Sequence, residues 1–153
     1  MSSRVGFGED AHALSAGRPL IIGNITIPKS PLGAVAHSDG DVLLHALSDA
    51  LLSAFALGDI GSYFPPSDPA FKDLDSAEIL AKVLSLLPNC RLSNAAAVVT
   101  LDTPKLGTHR DLIQARVAEL LGLPLARVGL TFKTSEGLAP GHIQARVTVL
   151  LEE

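Results

Sequence analysis

The run DGDVLLHALSDALLSAFAL, residues 39–57, constrains the fold more than any other stretch of this chain. Wound as a helix, Val42, Leu43, Leu44, Leu47, Leu51, Leu52 and Phe55 cover most of its circumference, so it must be packed on nearly every side. Asp41, His45, Ser48, Asp49 and Ser53 recur at three- and four-residue spacing and draw one polar stripe along it. Such a helix needs a sheet and further helices around it, and its polar line then faces a crevice. Asp39 is expected to cap its start, and Gly58 to end it after about Leu57.

The flanking segments supply those layers. Residues 4–8 read as a short strand, and LIIGNITIP, residues 20–28, as a hairpin turning on Gly23 and Asn24, which tolerate positive φ. KSPLGAVAHSDG, residues 29–40, reads as a loop. Residues 58–75 carry too many Gly, Pro and Asp for regular structure and are long enough to form a functional lid. Asp75 or Ser76 starts a second helix to about Leu87, with Glu78 in its first turn. A strand at 91–102, the turn DTPKLGTH and a helix of 109–121 closed by Gly122 follow. RVGLTFKTSE and HIQARVTVLLEE alternate in period two, as strands do. The interleaving predicts one α+β domain over residues 1–153, a sandwich of one mixed sheet backed by helices, with an N-terminal hairpin.

Charge narrows the partners. Twelve basic residues against sixteen acidic ones give a net charge of −4, which excludes a general affinity for nucleic acid or anionic membrane. A phosphate-bearing ligand must be held locally, by metal ions, backbone amides or a few cations. Charged residues make up only 18% and hydrophobic ones 47%, which points to surface hidden against partner subunits. The one cysteine, Cys90, forbids an internal disulfide and fits a reducing compartment. No run approaches a membrane span, and MSSRVGFGED lacks the basic-then-apolar layout of a secretory leader, so a cytoplasmic protein is expected.

Chemistry concentrates in a few places. In GEDAHAL, residues 8–14, Asp10 and His12 lie two apart and face the same way if the chain stays extended to residue 12. His45, on the polar stripe, adds a third ligand and completes a set that binds zinc with one position open. Asp41 and Asp49, one turn away on either side, are candidates to orient its ring. His37 precedes the helix beside Ser38, where amides at a helix start favour an anion. Lys133, Thr134, Ser135 and Glu136 end the penultimate strand, and Glu136 suits a second, harder ion such as magnesium. TPKLGTH, residues 103–109, brings Lys105 and free amides ahead of a helix, suited to a nucleotide phosphate or base edge.

Together GEDAHAL, AHSDGDVLLHALSDALLSAFALGDIGSYFPPSDP, TPKLG and KTSEGL resemble the 2-C-methyl-D-erythritol 2,4-cyclodiphosphate synthase family over nearly the whole chain. The resemblance implies a homotrimer of ferredoxin-like α+β subunits with active sites between neighbours. It implies zinc or another divalent ion on Asp10, His12 and His45, and magnesium or manganese on Glu136 bridging the phosphates of a cytidine-diphosphate-linked substrate. His37 and Thr134 match positions that stabilise the transition state. Ser38, Asp59, Ile60, Gly61, Phe64 and Asp68 match the methylerythritol pocket. Leu101, Pro104, Lys105, Leu106 and Gly107, with Lys133 and Ser135, match the cytidine pocket. Two departures stand out: Pro66 and Ser67 occupy a family FPDTDP motif, and the LGFTGRGEG that follows the glutamate is shortened to Leu138–His142, without its arginine.

Two other readings use the same residues. A metal-dependent phosphatase or nucleotide hydrolase would activate water on the ion and release a linear product. A non-catalytic trimeric binding module would need neither Glu136 nor Lys133.

Overall fold

The structure, a computed structural model, describes residues 2–153. Its frame is a five-stranded mixed sheet in the order β4-β1-β7-β5-β6, built from Ser3–Ala16 (β1), Leu32–Ala34 (β4), Arg91–Leu101 (β5), Val128–Lys133 (β6) and His142–Glu152 (β7). β5 and β6 run parallel across the crossover helix Arg110–Leu121 (α4), and the remaining pairs are antiparallel. The helix Val42–Ala54 (α1) packs on β1 and β7, with Ile60–Tyr63 (α2) and Ser76–Leu86 (α3) beyond it. The expected α+β sandwich is therefore present, as is the separate hairpin of Ile21–Ile22 (β2) and Ile25–Thr26 (β3). Gly23 and Asn24 turn it with φ of 60° and 64°.

Period two along β7 buries Ile143, Ala145, Val147, Val149 and Leu151 against the helices and leaves Arg146 and Thr148 outside. α1 lies unusually close to β1: a Cβ at Gly6 or Gly8 would collide with the carbonyls of Ala50 and Ala46. The opposite sheet face stays apolar yet open, with Val5 67%, Phe7 54% and Val98 38% exposed. No helix among the described residues is long and apolar enough to cross a membrane.

Several expected boundaries move. β1 runs to Ala16 instead of stopping at residue 8, because β7 pairs with it from Ser3 to Ala13. Leu32–Ala34, expected as loop, pairs with the end of that strand. α1 ends at Ala54, not near Leu57, and its cap is Asp41, not Asp39. The Asp41 carboxylate accepts from Leu44 N at 3.0 Å, and it also takes Gly23 N at 3.0 Å and Asn24 N at 2.6 Å, tying the hairpin turn to the helix. The span 58–75 is not wholly irregular, since it holds α2 and a 3-10 turn at Pro69–Phe71.

Candidate metal centre and active site

β1 and α1 bring the first cluster together. The strand stays extended past residue 12, so Asp10 and His12 share the face turned to α1, and the close approach at Gly8 sets His45 beside them. Asp10 Oδ2 lies 2.8 Å from His12 Nε2 and 3.0 Å from His45 Nδ1. One ligand atom from each residue falls within 4.8 Å of the other two. Tetrahedral coordination at the bond lengths usual for zinc separates ligand atoms by about 3.3 Å, so the spacing suits a single ion.

Electrostatics support that fit. Burial raises the Asp10 carboxyl, but the close imidazoles of His12 and His45 outweigh it and hold the pKa down at about 2. Burial lowers the His45 ring, and the Asp10 carboxylate beside it, with charge from Asp41 and Asp39, more than reverses this. His12 Nε2, although close to Asp10, is misaligned for a hydrogen bond and has no partner, a buried donor-acceptor atom aimed at its two co-ligands. The three ligand atoms lie close enough together to hold one divalent ion.

The ring of His45 is oriented by groups other than those expected. Asp41 spends its carboxylate on three amides, and Asp49 accepts from Ile60 N at 2.8 Å, so neither hydrogen-bonds the imidazole. Ser76 Oγ and Ser38 Oγ meet Nε2 instead, at 2.8 Å and 3.1 Å. Ser76 was legible only as a helix start, because tertiary approach, not spacing, brings it there.

A cavity of about 220 Å³ opens beside the cluster, lined by His12, His37, Ser38, His45, Ile60, Gly61 and Phe64, together with Pro66, Phe71, Leu74 and Ile79 that motif spacing did not single out. His37 Nε2 lies 2.9 Å from the carbonyl of Asp68. The carboxylates of Asp59 and Asp68 do not line the cavity; they cap local turns, accepting from Ser62 N at 3.1 Å and Ala70 N at 2.9 Å.

The second expected group gathers elsewhere. Leu101, Lys105, Leu106, Gly107, Phe132, Lys133 and Thr134 line a separate hollow of about 270 Å³. Pro104, at a cis peptide bond, shapes the loop without lining the hollow. Asp102 joins its two walls, accepting from Ser135 N at 2.6 Å and Ser135 Oγ at 2.9 Å, which holds that carboxyl below the usual range. Nothing in the spacing marked Asp102. Glu136 is exposed with φ of 56°, 3.4 Å from Thr134 Oγ1, and stands outside the Asp10 cluster. The two hollows share no lining residue.

Comparison with known proteins adds the following. The sequence matches the YgbB family over residues 3–152. A Deinococcus radiodurans protein named 2-C-methyl-D-erythritol 2,4-cyclodiphosphate synthase is 61% identical over 150 residues, 97% of this chain and 93% of its own length. A Thermus thermophilus protein of the same name is 56% identical over 151 residues, 97% and 99% of the two chains. A solved structure of such a synthase in a CDP-bound form aligns with TM-score 0.93 at 52% identity, covering 97% of this chain and 100% of that one.

Proposed function

This chain belongs to the YgbB family, and from that premise we propose that it converts 4-diphosphocytidyl-2-C-methyl-D-erythritol 2-phosphate to 2-C-methyl-D-erythritol 2,4-cyclodiphosphate, releasing CMP in non-mevalonate isoprenoid synthesis. An oxygen of the 2-phosphate attacks the β-phosphorus, and the bond from that phosphorus to the CMP oxygen breaks. The single observation that carries the reading is the convergence of Asp10, His12 and His45, with the unpartnered His12 nitrogen, on the rim of the His37 cavity.

Asp10, His12 and His45 would hold zinc or another divalent ion and Glu136 would hold magnesium or manganese, which when bound would supply neutralisation of the phosphate charge. His37 and Ser38 donate to the 2-phosphate side of the reaction, and Ile60, Gly61 and Phe64 enclose the carbon skeleton. Asp59 and Asp68 set the turns that carry those residues. Lys105 and Lys133 draw the cytidine diphosphate into the second hollow, where Leu101, Pro104, Leu106 and Gly107 shape the nucleoside contact. Thr134 stabilises the developing charge beside Ser135. Positioning and charge compensation are what this reaction demands, since nucleophile and electrophile are both anionic.

The two hollows are separate in one chain, which supports a homotrimer whose neighbouring subunits complete each active site. The open apolar face at Val5, Phe7 and Val98 supports the same assembly. We read residues 1–153 as one synthase domain, acting in the cytoplasm. Incubating the protein with the cytidyl substrate and magnesium, followed by phosphorus NMR, tests the reading. CMP and a cyclic diphosphate are expected; CMP with an open 2,4-bisphosphate, two separate phosphate monoesters, would establish the hydrolase instead.

A further inference from the structure

His45 is useful as a ligand through only one nitrogen, and its other nitrogen decides which form the ring takes. Nδ1 faces Asp10, while Nε2 faces Ser76 Oγ at 2.8 Å in a fully buried setting. A hydroxyl can donate or accept, so Ser76 alone leaves the ring's tautomer open. Asp39 removes that freedom: its Oδ1 lies 2.5 Å from Ser76 Oγ, and its Oδ2 accepts Ser76 N at 2.9 Å. A carboxylate only accepts, so the Ser76 hydrogen must point at Asp39, and the oxygen is left to accept from Nε2–H. Ser38 Oγ, 3.1 Å from the same nitrogen, accepts from Gly40 N at 3.3 Å and keeps its hydrogen uncommitted, so it imposes no choice.

We propose that Ser76, with its hydroxyl direction set by Asp39, is a positioning residue for the metal centre that accepts the Nε2 proton of His45 and so leaves Nδ1, which faces Asp10, as the nitrogen that exchanges its proton for an ion. The chain Asp39–Ser76–His45 crosses three parts of the fold: the loop before α1, the first turn of α3 and the first turn of α1. α3 therefore takes part in the site without touching an ion. The geometry matches the general use of outer hydrogen-bond partners to orient metal-binding imidazoles.

This inference rests on the divalent-ion reading of the cluster, and the test separates the two. Zinc affinity is measured by competition with a chromogenic chelator for wild type, Ser76→Ala, Ser76→Thr and Ser38→Ala. Ser76→Ala is expected to lose about 10- to 100-fold, the range for lost outer partners, while Ser76→Thr recovers most of it and Ser38→Ala changes it less than threefold. Nitrogen-15 NMR of the zinc-loaded protein, in which the ion takes the place of the proton that Nδ1 would otherwise offer Asp10, is expected to show an Nε2–H protected from solvent exchange in wild type and a rapidly exchanging one in Ser76→Ala. Wild type that binds no zinc overturns the metal reading. Wild type that binds zinc, with Ser76→Ala binding within threefold and its His45 Nε2–H exchanging as slowly as in wild type, overturns the positioning role alone.

Discussion

Gly8 is the point at which the sheet sets the metal site, and replacing it with alanine tests that coupling directly. The added Cβ would meet the Ala46 carbonyl and lie 2.5 Å from Ala50 N and 3.1 Å from Asp49 C, all backbone atoms of α1 that cannot rotate away. Ordinary contact needs about 3.5 Å, so α1 must retreat from β1 by about 1 Å. His45 rides on the helix next to Ala46, whereas Asp10 and His12 ride on the strand, so that retreat pulls the third ligand off the other two. Overpacking of this kind costs about 1–3 kcal/mol, or about 3–10 °C of melting temperature in a chain this size. An ångström of ligand misplacement is expected to weaken zinc about 100-fold, equivalent to about 2.8 kcal/mol. Chelator competition and thermal melting read the two effects. Gly129→Ala is the control, because its Cβ would meet nothing closer than 3.7 Å. Zinc affinity within threefold of wild type and unchanged melting in Gly8→Ala would show that the close helix–strand approach does not define the site.

Burial pushes the Asp41 carboxyl up to about 6 against the amides that stabilise its charge, so its contribution is full below the ordinary 3.8 and is lost as pH rises through 6. Asp41→Asn abolishes that dependence, and wild type is expected to gain about 1–2 kcal/mol on the variant between pH 7 and pH 5, read from urea midpoints; a pH-independent difference would contradict it. Asp102→Ala frees Ser135 and is expected to weaken CDP about tenfold by calorimetry while zinc affinity holds. Phe7→Asp places a charge on the open sheet face, and sedimentation velocity is expected to show the proposed trimer for wild type and monomers for the variant.

The features legible in sequence are those fixed by local chemistry. α1 followed from its apolar circumference, the hairpin from Gly23–Asn24, and Asp10 and His12 from strand alternation. What escaped was decided by partners distant in the chain. β1 looked finished at Gly8 because the polar residues after it carry no strand signal, yet β7 pairs with them through Ala13. Asp39 was the cap expected for α1, and Asp41 caps it instead. Ser76, 37 residues from Asp39, draws one of them away, and the hairpin amides claim the other. The second hollow came from two quoted motifs, but the carboxylate of Asp102 that clasps them lies just before the TPKLG run and grips Ser135 of the distant KTSEG run.

One carboxylate, Asp41, takes the amides of Gly23, Asn24 and Leu44 at once. The hairpin and the first turn of α1 consequently form a single cooperative unit: a fluctuation that releases either must release both. Hydrogen exchange at Asn24 and Leu44 should follow a shared opening free energy, and shortening the hairpin would fray the helix that carries the third metal ligand.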